Sequence, residues 1–384
     1  MIRTRAALDA IPAYVPGRSA DAVAADHQVD EVVKLSSNEA PFEPLPSAAA
    51  AIARAATSVN RYPDDASGAL VEALAARAGV TTGQVLVGNG SVELCRLAMA
   101  ATVDPGDEVV FAWPSFEAYP ILALQLGARI TRVALDDHGH DLDAMADAVG
   151  ADTRVVFVCS PNNPTGTVVT GAALRAFVEA VPPECLVVVD EAYREFVTDP
   201  SAVDGVELLG THPNVLVLRT FSKAYGLAAL RVGYALGSEE VVGALRKMRL
   251  PFAVNALAQV AALASLEADD EMRARVAGVV AERERLLDAL RARGLPVVSS
   301  QGNFLWLDVP DTAADLGRFS ETAGVVLRPF AGTGVRATVG TPDENDRLVE
   351  VLDRAVHDGV IGHRRAHGMT NRPGRRARAG PHAS

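Results

Sequence analysis

The 384-residue chain is predicted to be an α/β protein in which helices sandwich a mostly parallel sheet, with a second, smaller α/β domain. Two features of the sequence predict this fold class. Short runs of β-branched and apolar residues alternate with helical patterns up to about residue 235, which is typical of strands buried on both faces. Beyond that point a long amphipathic stretch precedes a few short strands, which indicates the smaller domain.

The elements of the large sheet come first in the chain. Its candidate strands are Gln84–Val87, Glu108–Ala112, Arg129–Val133, Arg154–Cys159, Leu186–Val189, Asn214–Arg219 and Arg231–Ala235. The helical patterns between them are Val92–Ala101, Glu117–Leu126, Leu142–Ala148 and Gly171–Val181. Because ligands of such sheets bind at the carboxyl ends of the strands, polar residues directly after these runs are candidates for function.

The smaller domain is predicted from the pattern that follows. An amphipathic stretch, Gly243–Leu290, has the helical period and is broken near Pro251. Strand-like segments follow at Phe304–Asp308, Val325–Arg328 and Val335–Val339. Thr341 and Glu344 then have the spacing of a capping box, and Pro342 stands at the first helical position. Together they predict the start of the last helix.

Four regions follow from these patterns. Residues 1–46 have few periodic elements and are expected to contribute to the small domain and to dimer contacts. Residues 47–250 are expected to form the large domain, and residues 251–360 the small one. Residues 361–384, rich in glycine, proline and arginine, are expected to be a disordered basic tail.

Charge and composition narrow the class of protein. Hydrophobic residues make up 49% and charged residues 22%, which is ordinary for a soluble enzyme. The net charge is −12 although the tail holds six arginines and no acid from His363 onward, so the body is more acidic still. An acidic body argues against a protein that binds the phosphate backbone of nucleic acid. Binding of nucleic acid by the basic tail is the less favoured alternative.

Cysteine usage and hydropathy indicate a soluble, cytoplasmic protein. The three cysteines, Cys95, Cys159 and Cys185, are sparse and odd in number, which argues against a disulfide framework. The longest uncharged run, Val155–Leu174, contains Pro161 and its polar neighbours and is therefore not expected to be a membrane helix. The acidic and histidine residues between Asp136 and Asp141 suggest a solvated turn rather than a metal site.

The strongest functional pattern lies around Lys223. Lys223 follows Ser222 directly, Arg231 lies eight residues later, and Asp190 ends an apolar strand upstream. A lysine amine forms a Schiff base with an aldehyde cofactor, a carboxylate holds a pyridine nitrogen protonated, and serine with arginine can hold a phosphate. Taken singly, the lysine could be a surface residue, the arginine an ion-pair partner and the aspartate a helix cap.

Other strand ends add groups of matching chemistry. Gly88-Asn89-Gly90-Ser91 opens a helix, where backbone N–H groups favour an anion, although it could be only a capped glycine turn. Phe116 could lie against a planar ring or belong to the core, and Asn162–Gly166 could be only a turn. Tyr193 could donate a hydrogen bond to a ring oxygen. Several strand-end loops that offer compatible groups together predict one ligand site.

Ordered motifs connect these segments to a known family. They are Lys34-Leu35-Ser36-Ser37-Asn38-Glu39, Asn60-Arg61-Tyr62-Pro63, Asn162-Asn163-Pro164-Thr165-Gly166, Asp190-Glu191-Ala192-Tyr193, Phe221-Ser222-Lys223, Leu230-Arg231-Val232-Gly233-Tyr234 and Arg336-Ala337-Thr338-Val339-Gly340. In this set the chain resembles fold-type I aminotransferases that use pyridoxal 5'-phosphate, in the branch of histidinol-phosphate and aromatic (phenylalanine) aminotransferases. The matches run from Tyr14 to Thr341, nearly the whole folded body.

The resemblance implies a role for each matched residue. Lys223 would form the Schiff base, Asp190 would pair with the pyridine nitrogen, Tyr193 and Asn163 would contact the ring oxygen, and Phe116 would stack on the ring. The phosphate would be held by Ser222, Arg231 and the backbone of Ser91 and Val92, with Tyr62 reaching in from the other subunit of a homodimer. Arg336 would bind the substrate carboxylate, aided by Asn163, and Arg328 and Tyr14 would shape the side-chain end.

The implied reaction is transfer of an amino group from phenylalanine or tyrosine to 2-oxoglutarate in a ping-pong cycle, with Lys223 as general base. The segment 113–120 favours the aromatic branch, and Val92 and Phe116 stand where many histidinol-phosphate enzymes have aspartate and tyrosine. Ala229 replaces a usual glycine without an evident catalytic meaning. The alternatives are a histidinol-phosphate aminotransferase, a decarboxylase or lyase on the same scaffold, and a cofactor-binding protein without activity.

Overall fold

The computed structural model describes residues 2, 4–13, 17–202 and 204–362. Tyr14 and the arginines of the basic tail lie outside the described residues. Within the described part, no helix combines the length and the apolar character that crossing a bilayer requires.

Helices and strands alternate along most of the chain. The α-helices of the described residues are α1 (Ala20–His27), α2 (Pro46–Ala55), α3 (Gly68–Ala78), α4 (Ser91–Thr102), α5 (Ala118–Leu126), α6 (Leu142–Ala148), α7 (Gly171–Ala180), α8 (Glu239–Met248), α9 (Ala256–Glu267), α10 (Asp269–Ala292), α11 (Ala313–Thr322) and α12 (Pro342–His357). The strands are β1 (Val33–Lys34), β2 (Val85–Gly88), β3 (Glu108–Trp113), β4 (Arg129–Ala134), β5 (Thr153–Cys159), β6 (Leu186–Asp190), β7 (Val215–Thr220), β8 (Gly233–Gly237), β9 (Val297–Val298), β10 (Phe304–Leu307), β11 (Val325–Val326), β12 (Arg328–Phe330) and β13 (Gly334–Thr338).

A seven-stranded sheet in the order β2-β8-β7-β6-β5-β3-β4 forms the centre of the molecule. Its strands are parallel except β8, which runs antiparallel to both of its neighbours. Successive side chains of β6 enter different cores, since Val187 and Val189 pack on one face and Leu186 and Val188 on the other. This period-two burial explains the continuous apolar run in the sequence. The predicted mostly parallel α/β sheet is confirmed.

A smaller antiparallel sheet, β12-β13-β10-β9, carries the later part of the chain. Most of its buried apolar residues belong to the same core as one face of the large sheet, so the two sheets share buried surface. β1 pairs in parallel with β11, which ties the start of the chain to this region. Helix α12 begins with the predicted capping box, in which Thr341 and Glu344 exchange hydrogen bonds of 2.8 and 3.3 Å.

Several predicted bounds differ from the structure. The strand predicted from Arg231 begins at Gly233, because Arg231 has a left-handed backbone with φ of 57° that no strand accepts. The segment predicted at 325–328 divides into β11 and β12, which pair with different strands. The long amphipathic stretch has a second break, at Ala268 between α9 and α10. Helices α1, α2, α3 and α11 were not predicted from the sequence. The division into domains at residues 47, 251 and 361 stays a prediction.

Candidate active site

One cavity of about 200 Å³ lies at the carboxyl ends of β5, β6 and β7 and the start of α4. Most of the sequence-predicted site residues line it: Ser91, Val92, Phe116, Asn163, Asp190, Tyr193, Ser222, Lys223, Arg231, Arg328 and Arg336. They come together because parallel strands end at the same edge of the sheet, as the register of Cys159 beside Asp190 illustrates. β12 and β13 supply Arg328 and Arg336 from the smaller sheet.

Asp190 is the last residue of β6 and is only 3% exposed. Its carboxylate accepts hydrogen bonds from the Tyr119 hydroxyl at 2.7 Å and from the Ala192 backbone N–H at 3.2 Å. Burial raises the pKa of Asp190, while these two donors and the charge of Lys223 oppose that change. A desolvated carboxylate on a cavity wall is suited to a cationic N–H group, which would stabilise its charged form.

Lys223 lies on the loop after β7, with its amine directed at the N-terminal segment. Its Nζ donates to the backbone carbonyls of Asn38 at 3.0 Å and Ser37 at 3.3 Å. Burial, followed by the positive charge of Arg336, lowers the pKa of Lys223 to about 7. An amine with this pKa is about half unprotonated at neutral pH, and the unprotonated amine is the form that attacks an aldehyde or accepts a proton.

The corner around Arg231 has the features of an anion site. Arg231 Nη1 donates to Ser222 Oγ at 3.2 Å and to a backbone carbonyl at 2.9 Å. The first N–H groups of the 12-residue helix α4 begin at Ser91, and such groups attract anions. A Cβ atom on Gly90 would lie 2.4 Å from the Arg231 guanidinium, so this corner depends on glycine. The left-handed backbone of Arg231 is a strained conformation of the kind that concentrates at ligand sites.

Two further arginines face the other end of the cavity. Arg336 on β13 is 7% exposed and donates to the Asn163 side-chain oxygen and, at 2.6 Å, to the Ser36 carbonyl. Arg328 on β12 places one Nη atom 2.9 and 2.8 Å from the two carboxylate oxygens of Glu117. The two arginines stand opposite each other in the β12–β13 register. This end therefore holds two cations, one of which is paired with the carboxylate of Glu117.

Aromatic and amide groups form the remaining walls. The hydroxyl of Tyr193 accepts a hydrogen bond from Asn38 Nδ2 at 3.0 Å, and burial raises the pKa of Tyr193. Phe116 meets Tyr119 edge to face with 5.5 Å between ring centroids. A planar ligand would thus be bordered by rings as well as by charged groups.

Of the predicted site residues that the structure describes, Tyr62 does not line this cavity. Tyr62 is 81% exposed and stacks on Phe252 with 4.6 Å between ring centroids. Tyr14 lies outside the described residues. The action of Tyr62 in another subunit stays a prediction.

Three residues at the site were not singled out from the sequence. Tyr119 bonds to Asp190, Asn38 bonds to Tyr193, and Glu117 pairs with Arg328. Glu117 and Tyr119 follow Phe116 closely, and Asn38 lies within one of the family motifs. Their proximity to these residues in the sequence could have identified them as candidates. Their partners, however, are 71 to 211 residues away in the chain, and only the fold brings them together.

A cavity that combines a lysine of lowered pKa, a buried carboxylate and an anion corner is what chemistry with an aldehyde cofactor requires. The chain belongs to the family of class I and II aminotransferases, whose model matches residues 30–352. The sequence-based assignment to this enzyme family is therefore confirmed.

The chain is similar to curated enzymes of the aromatic branch of this family. The chain is 53% identical over 347 residues to an aromatic amino acid aminotransferase of Thermobifida fusca, covering 90% of this chain and 95% of the relative. It is 52% identical over 352 residues to a protein of the same name from Streptomyces coelicolor, covering 91% and 97%.

Solved structures share the fold. The histidinol-phosphate aminotransferase of Sinorhizobium meliloti, in complex with pyridoxal-5'-phosphate, has a TM-score of 0.86 and 27% identity over 93% of this chain and 98% of that one. The aspartate aminotransferase of Thermus thermophilus with maleate has a TM-score of 0.79 and 25% identity over 92% and 100%. The predicted fold type is confirmed by these similarities.

Proposed function

We propose that this protein is a pyridoxal 5'-phosphate-dependent aminotransferase that transfers the amino group of phenylalanine or tyrosine to 2-oxoglutarate. The observation that carries the proposal is the meeting of Lys223, Asp190 and Arg231 in one cavity. Relatives named aromatic amino acid aminotransferase, about half identical over nine-tenths of the chain, support the aromatic donor. The likeness to a histidinol-phosphate enzyme keeps that donor as the second candidate.

The chemistry of the cavity fits this cofactor. Arg231, Ser222 and the start of α4 would hold its phosphate, and Asp190 would hold its ring nitrogen. When bound, the cofactor supplies an aldehyde that links to amines and a protonated ring that withdraws electrons from the substrate carbon. Phe116, Tyr193 and Asn163 would contact the ring.

Lys223 is the group that we assign to proton transfer. Its Nζ, oriented by the carbonyls of Ser37 and Asn38, would accept the proton from the substrate α-carbon and later return it. Asp190 would stabilise positive charge on the ring nitrogen, since burial strengthens its attraction to a cationic N–H. Tyr119 positions the Asp190 carboxylate for this role.

Arg336 is the group that we assign to the substrate α-carboxylate. Its guanidinium is already oriented by Asn163 and by the Ser36 carbonyl, so little conformational freedom would be lost on binding. A planar guanidinium can bind a carboxylate through two hydrogen bonds. Arg328, with Tyr14, would shape the end of the pocket that receives the substrate side chain.

We further propose a homodimer in which Tyr62 reaches the cofactor phosphate of the other subunit. Tyr62 lies among exposed apolar side chains, with Val59 61%, Leu250 66% and Phe252 42% exposed. Exposed apolar groups of this kind mark interaction surfaces. The free, buried cysteines suit a reducing compartment, and we place the protein in the cytoplasm.

Uptake of pyridoxal phosphate by the cofactor-free protein is expected to become faster as pH rises and to reach half its plateau rate near pH 7. Only the unprotonated amine attacks the aldehyde, and the pKa of Lys223 is lowered from 10.5 to about 7. Stopped-flow absorbance between about pH 5.5 and about pH 9 would measure the rate. Lys223→Ala protein corrects for reaction at other lysines, and a corrected rate that keeps rising to the top of this range would contradict the prediction.

The proposed function is tested by offering phenylalanine, tyrosine and histidinol phosphate separately with 2-oxoglutarate and measuring glutamate formation. We expect kcat/KM to be at least about tenfold higher for an aromatic donor than for histidinol phosphate. A few contacts in the pocket are enough to produce a difference of this size. Preference for histidinol phosphate would establish the second candidate instead. Release of carbon dioxide in place of a 2-oxo acid would identify a decarboxylase.

A further inference from the structure

An ion pair between Glu117 and Arg328 lies in the wall of the active-site cavity. Glu117 lies between β3 and α5, and Arg328 belongs to β12, so the pair links the loop after β3 to the smaller sheet. One Nη atom of Arg328 lies 2.9 and 2.8 Å from the two carboxylate oxygens. The Arg328 side chain is 13% exposed and that of Glu117 is 34% exposed.

The position of Glu117 does not arise from capping the helix. Glu117 is the N-cap residue of α5, but its side chain makes no capping hydrogen bond and its backbone is already helical. Its carboxylate is directed instead at a guanidinium that also lines the cavity. The contact is therefore a property of the ligand site rather than of the helix terminus.

The charges around the cavity indicate how this pair affects the choice of substrate side chain. Among the described residues, the cavity lining includes four cations, Lys223, Arg231, Arg328 and Arg336, and two carboxylates, Asp190 and Glu117. In the proposed function, Arg231 serves the cofactor phosphate and Arg336 the substrate carboxylate. Arg328 then remains as the cation at the side-chain end, where Glu117 already neutralises it.

We propose that Glu117 is a specificity-determining residue that disfavours amino donors with an anionic side chain, an inference that rests on the proposed function. A phosphate or carboxylate at this end would meet the like charge of Glu117 or would have to displace it from Arg328. An aromatic side chain leaves the pair intact and carries no charge to oppose it. The distal carboxylate of 2-oxoglutarate must compete with Glu117 for Arg328 in the same way.

The test replaces the carboxylate with its neutral isostere, Glu117→Gln, and measures two unreactive probes on the cofactor-loaded enzyme. Glutarate carries a distal carboxylate, and 3-phenylpropionate carries an aromatic ring in its place. We expect the dissociation constant of glutarate to fall about tenfold or more and that of 3-phenylpropionate to change less than about threefold. The kcat/KM for histidinol phosphate is expected to rise in parallel with glutarate affinity.

Three further variants keep the test decisive. Glu117→Asp retains the charge and should retain the wild-type ratio of the two dissociation constants, while Glu117→Ala should shift the ratio as glutamine does. Asp152→Asn removes a carboxylate from an exposed pair with Arg129 and should change neither constant. An unchanged ratio in both neutral variants, or equal change for both probes, would overturn the proposal. Absence of glutamate formation from phenylalanine in the wild type would instead reject the proposed function, since the binding ratio is measured separately.

Discussion

Replacing Lys223 by alanine is expected to lower turnover by about 10⁴-fold or more, because no other described amine lies in the cavity to move the substrate proton. The chain has only three lysines, and the other two, Lys34 and Lys247, do not line this cavity. Glutamate formation from phenylalanine and 2-oxoglutarate measures the loss. The absorbance of cofactor covalently held by the protein should disappear in the same variant.

Lys247→Ala is the matched control, since Lys247 is an exposed residue of α8. It should leave both turnover and the cofactor absorbance at wild-type values. Substantial transamination by Lys223→Ala, at more than about a hundredth of the wild-type rate, would reject the assigned role, since it lies outside the expected loss.

Asp190→Asn is expected to lower kcat by about 10³-fold while the protein stays folded, since asparagine preserves the volume but removes the charge. The ring nitrogen would then lose the carboxylate that favours its protonated, electron-withdrawing state. Tyr119→Phe, which removes one hydrogen bond to Asp190, should cause a smaller loss of about tenfold. Steady-state assays of the two variants would give this graded series.

A cofactor analogue separates electronic from structural effects in this series. Pyridoxal phosphate methylated at the ring nitrogen is permanently positive and does not need a carboxylate to keep its charge. It should recover part of the activity of Asp190→Asn, whereas misfolding would not be corrected by it. A kcat of Asp190→Asn close to that of the wild type with the natural cofactor would contradict the proposed role of Asp190.

The large sheet was predictable from sequence because its strands have a simple local signature. β5 and β6 are buried on both faces, so nearly every position is apolar and their bounds were found within a residue or two. Arg231 shows the limit of this reasoning. Its run of apolar neighbours resembles a strand, but its backbone is left-handed and its side chain bonds to Ser222 at the anion corner.

The meeting of candidate site residues in one cavity was predictable where a residue ends a strand or lies in the loop after it, as Asp190 and Asn163 do. The positioning contacts were not, because they depend on the fold bringing distant segments together. Tyr119 meets Asp190 across 71 positions and Glu117 meets Arg328 across 211. The role assigned to Tyr62 depends on a second subunit and stays a prediction.

The contact between the Lys223 amine and the segment at Ser37 and Asn38 has a consequence for synthesis of the protein. Asn38, whose carbonyl accepts from the Lys223 amine, donates its backbone N–H to the Thr338 side chain at 2.9 Å. The segment around Asn38 is therefore anchored by β13, a strand made about 300 residues later. Since ribosomes deliver about 5–20 residues per second, the segment must wait on the order of tens of seconds for its anchor. A nascent chain can assemble the large sheet early, yet it cannot complete the catalytic centre until β13 has emerged.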